Sequence, residues 1–166
     1  MPCSTGSLSS ASRTGEGFLA ELLQDITPLC VREAEDKEPL QAGHVYVAPS
    51  DYHLLVDGAL MSLSVDALVR WSRPSIDVTL ASAADSCGPR AVGVVLTGAN
   101  DDGSEGLRRI SDRGGLAIVQ DPDSAESRPM PEAARKAVPR ARVMTIDAIA
   151  AFLSALPAGL PERESA

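Results

Sequence analysis

Between Ala91 and Leu96 the chain reads Ala-Val-Gly-Val-Val-Leu, apolar and β-branched with no polar alternation. That is how a strand buried on both faces reads. The run stops at Thr97-Gly98, crosses a small acidic turn (Ala99-Asn100-Asp101-Asp102-Gly103), and takes up helical spacing from Ser104 to Ile110 before Gly114-Gly115 ends it. A strand covered on both sides needs helices above and below it, so this order commits the chain to an α/β arrangement. In open α/β sheets, ligands and reactive side chains collect at the carboxyl ends of strands. Asp102 stands there and is the first candidate for chemistry.

The flanking segments agree. Phe18, Leu19, Leu22, Leu23 and Ile26 fall on one face of an amphipathic helix closed by Asp25 and Pro28. Short strands are expected at Cys30–Ala34 and His44–Ala48, separated by the charged connector Glu33–Pro39. His53–Val56 and Ala59–Val65 flank Asp57-Gly58, a strong hairpin signal, with Ser62 and Ser64 on a wet face. A helix with Ser75 near its start ends at Gly88-Pro89. After the central strand come a strand at Leu116–Val119, a loop from Gln120 to Met130 of a length that often carries function, and a helix over Glu132–Ala137. A strand at Arg142–Ile146 and a helix capped by Asp147 close the pattern. The expected fold is a doubly wound, mostly parallel sheet with helices on both faces and an antiparallel hairpin at one edge. Residues 1–16 read as a disordered leader, 17–157 as one domain and 158–166 as a flexible tail.

Charge and composition remove several function classes. The net charge of −8 argues against a nucleic-acid or anionic-membrane surface. No apolar run approaches the roughly 20 residues of a membrane helix. Cys3, Cys30 and Cys87 are few, widely spaced and in no metal pattern, which suits a reducing cytoplasm.

Asp102 has a plain reading first. Asp102-x-x-Glu105 is a capping box in form, the Asp accepting an orphan amide and Glu105 reaching back. A phosphate cradle would want a Lys and no paired carboxylates. A calcium loop with Gly103 as its glycine would put Gly98 and Arg109 where acids are required. A phosphoacceptor site lacks its acidic pair and strand-end Lys, since Lys37 and Lys136 are the only lysines. What remains is an Asp that orients a His, which in turn activates a Ser. His44 and His53 are the available imidazoles, each read as structural. No Gly-x-Ser-x-Gly turn follows a strand, and Cys3-Ser4-Thr5-Gly6-Ser7 imitates one without a strand to hold it.

The run Gly93–Leu107 (GVVLTGANDDGSEGL) closely resembles the signature of the chemotaxis CheB-type methylesterase domain. Other blocks agree in order: Arg32-Glu33-Ala34-Glu35-Asp36, Gly43–Pro49, Asp51-x-His53, Arg73–Val78, Gly114-Gly115, Gln120-Asp121 and Met130-Pro131. The resemblance runs from about Phe18 to about Leu156. It implies hydrolysis of glutamate γ-methyl esters, with glutamine deamidation in some members, on the cytoplasmic domain of methyl-accepting chemoreceptors. It implies a Ser-His-Asp triad in that chain order, no metal or organic cofactor, and Asp102 as the catalytic carboxylate. In the family the Ser and His precede the segment that Phe18 begins here, and His44 and His53 match histidines outside the triad. The expectation is therefore a partial domain without a receiver domain, its first strands missing and its activity impaired. The alternative is a non-catalytic module that binds receptor or partner.

Overall fold

The structure is a computed structural model that describes residues 18–156. The leader, the tail beyond Leu156 and Ser4-Thr5-Gly6 lie outside the described residues. The chain opens with α1 (Phe18–Gln24), then β1 (Cys30–Glu33), β2 (His44–Val47), the hairpin β3 (His53–Asp57) and β4 (Leu60–Ser64), and α2 (Ile76–Cys87). It continues through β5 (Val92–Val95), α3 (Ser104–Asp112), β6 (Leu116–Gln120), α4 (Pro129–Ala137), β7 (Arg142–Met144) and α5 (Ile146–Ser154). The α/β class and the parallel pairing expected from sequence are both present.

The parallel strands fall into two groups. β1 pairs with β2, and β5, β6 and β7 form a second sheet in that order. The hairpin is a sheet of its own, antiparallel, with Asp57 opposite Leu60, so Gly58 and Ala59 make the turn one residue later than the Asp-Gly pair suggested. Gly58 takes a positive φ of 63° there. Two of the three buried apolar clusters among the described residues follow this division, the third (Ala84, Ala91 and Ile110) lying between α2 and α3. Val95, Leu107, Val119, Met130 and Ala134 pack between the three-stranded sheet and its helices. Ala34, Leu54 and Met61 join β1, β2 and the hairpin.

Three local expectations are corrected. The apolar stripe of α1 is not buried: Ile26 is 80% exposed, Phe18, Leu19 and Leu22 are exposed as well, and Ala20 alone of the helix is buried. Periodicity shows what a helix could bury, and here no described element covers that stripe. The hairpin's wet face is half closed, since Ser62 is buried and accepts a 2.9 Å hydrogen bond from Lys37 Nζ. α5 is capped by Thr145, whose hydroxyl accepts from the Ala148 amide, rather than by Asp147.

β5 is an edge strand among the described residues. The Leu116 amide donates to the Ala91 carbonyl at 2.9 Å, so strand alternation turns the backbone groups of Val92 and Val94 away from β6. Val92 and Leu96 are also exposed. An open, apolar strand edge is a template for pairing with another chain. Sedimentation velocity should show concentration-dependent self-association, weakened severalfold by Val92→Lys. A monodisperse monomer at every concentration would oppose this.

Candidate functional site

Asp102 lies between the amino termini of two helices. The turn after β5 begins where the Thr97 amide donates to Gln120 Oε1 at 2.9 Å and the Gly98 amide donates to the Ser127 carbonyl at 3.2 Å. The loop from Gln120 to Met130, expected to carry function, is thus packed against the strand end, with Met130 against Gly98. Asn100 Oδ1 accepts from the Asp102 amide at 3.0 Å and sets the turn. Gly103 then adopts φ 92°, and a Cβ on it would sit 2.8 Å from Ile76 Cγ2. Both facts call for glycine after the aspartate.

The carboxylate is 3% exposed. Its Oδ1 accepts from the Ser75 hydroxyl at 2.9 Å and the Asp77 amide at 3.0 Å, and its Oδ2 accepts from the Ile76 amide at 2.8 Å. The capping-box reading therefore holds in chemistry and fails in address. Asp102 caps α2, which lies 25 to 27 residues earlier in the chain, and not its own helix. Glu105 does not reach back; it pairs with Arg108. α3 is capped instead by Asp77, whose Oδ1 accepts from the Gly106 amide at 2.7 Å. Each helix thus supplies a carboxylate to the positive end of the other.

Asp77 is buried beside that second carboxylate, and the two shift its titration together. Burial pushes its carboxyl above the ordinary aspartate value of 3.8, the nearby Asp102 adds to this, and the Gly106 amide and Arg70 oppose it. Ionisation of Asp77 therefore opposes folding. Its favourable contribution is full below the unfolded value and is lost as pH rises through the higher folded one. Carbon-detected NMR of the Asp77 carboxyl should show a midpoint above 3.8, and Asp77→Asn should flatten the stability profile over that window. Exposed Asp101 is shifted the other way, held down by its hydrogen bond to the Arg70 guanidinium.

Of the residues proposed from sequence, the structure brings His53 close and leaves His44 away. His53 is buried, with Nδ1 accepting from the Ser75 amide at 3.2 Å and Nε2 donating to the Ala67 carbonyl at 3.1 Å. His44 stacks on Tyr46 in β2 and bonds the Ala42 carbonyl. Ser75, read from sequence only as a helix start, is the residue that joins His53 to Asp102. The three resemble a Ser-His-Asp constellation but are wired otherwise. The imidazole meets the serine's amide, and the hydroxyl donates to the carboxylate. A hydroxyl held that way has no imidazole to take its proton. The signal for Ser75 was its place directly after Pro74 at a helix start; its long-range partner leaves no local pattern.

Comparisons with known proteins identify the family. The sequence pattern of the CheB methylesterase family matches residues 9–153. A Leptospira interrogans chain provisionally named protein-glutamate methylesterase/protein-glutamine glutaminase is 43% identical over 141 residues, covering 84% of this chain and 72% of the relative. The Myxococcus xanthus protein-glutamate methylesterase FrzG is 43% identical over 139 residues, which are 77% of this chain and 41% of FrzG. The crystal structure of the Thermotoga maritima CheB methylesterase catalytic domain aligns with a TM-score of 0.77 and 30% identity, over 81% of this chain and 74% of that one.

Proposed function

The chain belongs to the CheB methylesterase family, and from that premise we propose that it is a protein-glutamate methylesterase domain of chemotaxis signalling, in which the described residues supply the carboxylate of Asp102 and no imidazole bonded to it. Its substrate class is the γ-methyl ester of glutamate on the cytoplasmic part of a chemoreceptor. What supports the reading is the family match over residues 9–153, together with the buried carboxylate of Asp102 in the turn between β5 and α3.

In such a site the Asp holds an imidazole in one tautomer and stabilises the imidazolium that forms. The imidazole takes the proton of a serine hydroxyl, the oxygen attacks the ester carbonyl, and methanol leaves with that proton. Water then attacks the acyl-serine by the same route and frees the glutamate carboxylate. Asp102 keeps one lone-pair direction of Oδ2 beyond its bond to Ile76, and an incoming imidazole would use it. His53 does not serve, because both of its nitrogens are bonded. Absence of the serine or imidazole should lower the rate by several orders of magnitude.

The test is a chimera. The amino-terminal strands of the Thermotoga maritima domain, placed ahead of Phe18, should give a folded protein that releases methanol from a methyl-esterified receptor fragment. A folded chimera with no release would sink the esterase reading. The second reading is a non-catalytic receptor- or partner-binding module, favoured by the commitment of Ser75 and His53 to structure. It predicts receptor binding by the unmodified chain and silence from the chimera.

A further inference from the structure

Trp71 is the chain's single tryptophan, and it is 93% exposed. Its backbone makes this more unusual. The Val69 amide donates to the Ser72 carbonyl at 3.1 Å and the Ser72 amide to the Val69 carbonyl at 2.8 Å, closing a two-residue turn. Its corners are Arg70 at φ 50° and Trp71 at φ 65°. Such corners are ordinarily Asn and Gly, because side chains are strained there. The chain thus holds its largest apolar side chain in water on a strained turn.

The turn is fixed to the candidate site without entering it. Arg70 pairs with Asp101, the residue before Asp102, and with Asp77 at 3.3 Å. Asp77 in turn holds α3, so the turn is tied to the junction from two sides. Val65 and Leu68 are exposed along the same segment. Arg73 follows, half-buried; its Nη1 donates to the carbonyls of Val65 and Asp66 at 2.9 and 3.1 Å, its Nε is buried without a partner, and no described carboxylate pairs with its guanidinium. In a chain of net charge −8 this is a cationic spot beside an apolar one.

We propose that the Trp71 turn is the docking contact for the protein substrate, taking an apolar side chain of a glutamate-bearing segment on the indole and its acidic flank near Arg73. Tryptophan and arginine side chains are the usual anchors of protein interfaces, and strained backbone collects at functional sites. The anchor on Asp101 sets where a docked segment lies relative to Asp102. The inference rests on the methylesterase reading, which supplies the glutamate-bearing protein.

Because Trp71 is the single tryptophan, its fluorescence reports on the proposal directly. A soluble cytoplasmic fragment of a chemoreceptor is titrated into the full chain, with calorimetry and tryptophan emission read on the same samples. Emission should shift to the blue and iodide quenching should fall with the midpoint of the heat signal. Trp71→Ala should weaken binding at least tenfold without lowering the thermal midpoint, and Trp71→Gly should weaken it equally while raising that midpoint. Heat with unchanged emission, or full binding by Trp71→Ala, would overturn the docking role and leave the family reading to the chimera. Silence in both signals would also overturn it, whatever the chimera does. Two outcomes assign the indole to another occupant and overturn it as well: emission already blue and unquenchable in the free chain, or a blue shift that follows the chain's own concentration.

Discussion

Asp102→Ala is expected to cost the fold about 3–5 kcal/mol, measured by urea unfolding. The carboxylate is buried and receives the Ser75 hydroxyl and the amides of Ile76 and Asp77. Truncation leaves all three donors without an acceptor, each worth about 1–3 kcal/mol when buried, with some relief from water entering the gap. Loss of a helix cap alone accounts for about 1 kcal/mol of the total. Against a typical domain stability of about 5–15 kcal/mol this is a large share. Asp102→Asn should cost less, about 2 kcal/mol, because one oxygen still accepts while the amide nitrogen faces a backbone N–H. A loss below about 1 kcal/mol for the alanine variant would mean that α2 does not depend on this cap. The consequence for enzymology is direct: lost methanol release in an Asp102 variant reports catalysis only where unfolding shows the domain intact. Capping and orienting an imidazole are compatible on one carboxylate, since the two oxygens have lone pairs enough for both.

The parts of this fold that could be read from sequence are those whose cause is local. β6 shows as an unbroken apolar run because both its faces are covered, β5 reads the same way although the face carrying Val92 and Val94 is only partly covered, and the Asp-Gly pair marks its hairpin to within one residue. Asp102 was legible as a signature residue and as a helix cap. Its partners were not, because the spacing rule for a capping box assumes that a carboxylate serves the helix it precedes. Here Asp77 and Asp102 exchange helices across the chain. The α1 stripe failed for a related reason: amphipathic spacing is a property of the helix, whereas burial is a property of what packs on it. The Trp71 turn gave no signal, since Arg-Trp is not a turn-forming pair. That turn shows only when φ is seen.

The exchange of caps also fixes the sign of a second variant, Gly106→Ala. In an ordinary exposed helix this change is favourable by about 1 kcal/mol, because alanine loses less backbone freedom on folding. Here a Cβ at position 106 would stand 2.7 Å from Leu80 Cβ, 2.8 Å from the Asp77 carbonyl oxygen and 3.0 Å from Asp77 Cα. Two of those atoms are backbone and cannot turn aside, so α3 must retreat from α2. The retreat stretches the 2.7 Å bond from the Gly106 amide to Asp77 Oδ1 and strips a buried carboxylate of its closest donor. Overpacking of this kind costs about 1–3 kcal/mol and the exposed defect about 1–2 more, so a net loss of about 1–4 kcal/mol is expected after the helix gain. Asp77→Ala should itself be destabilising, and the double variant should lose less than the two single losses combined, since both break one bond. Strict additivity would separate the close approach from the cap, and a stabilised Gly106→Ala would mean that the two helices have room between them that the reciprocal capping does not allow.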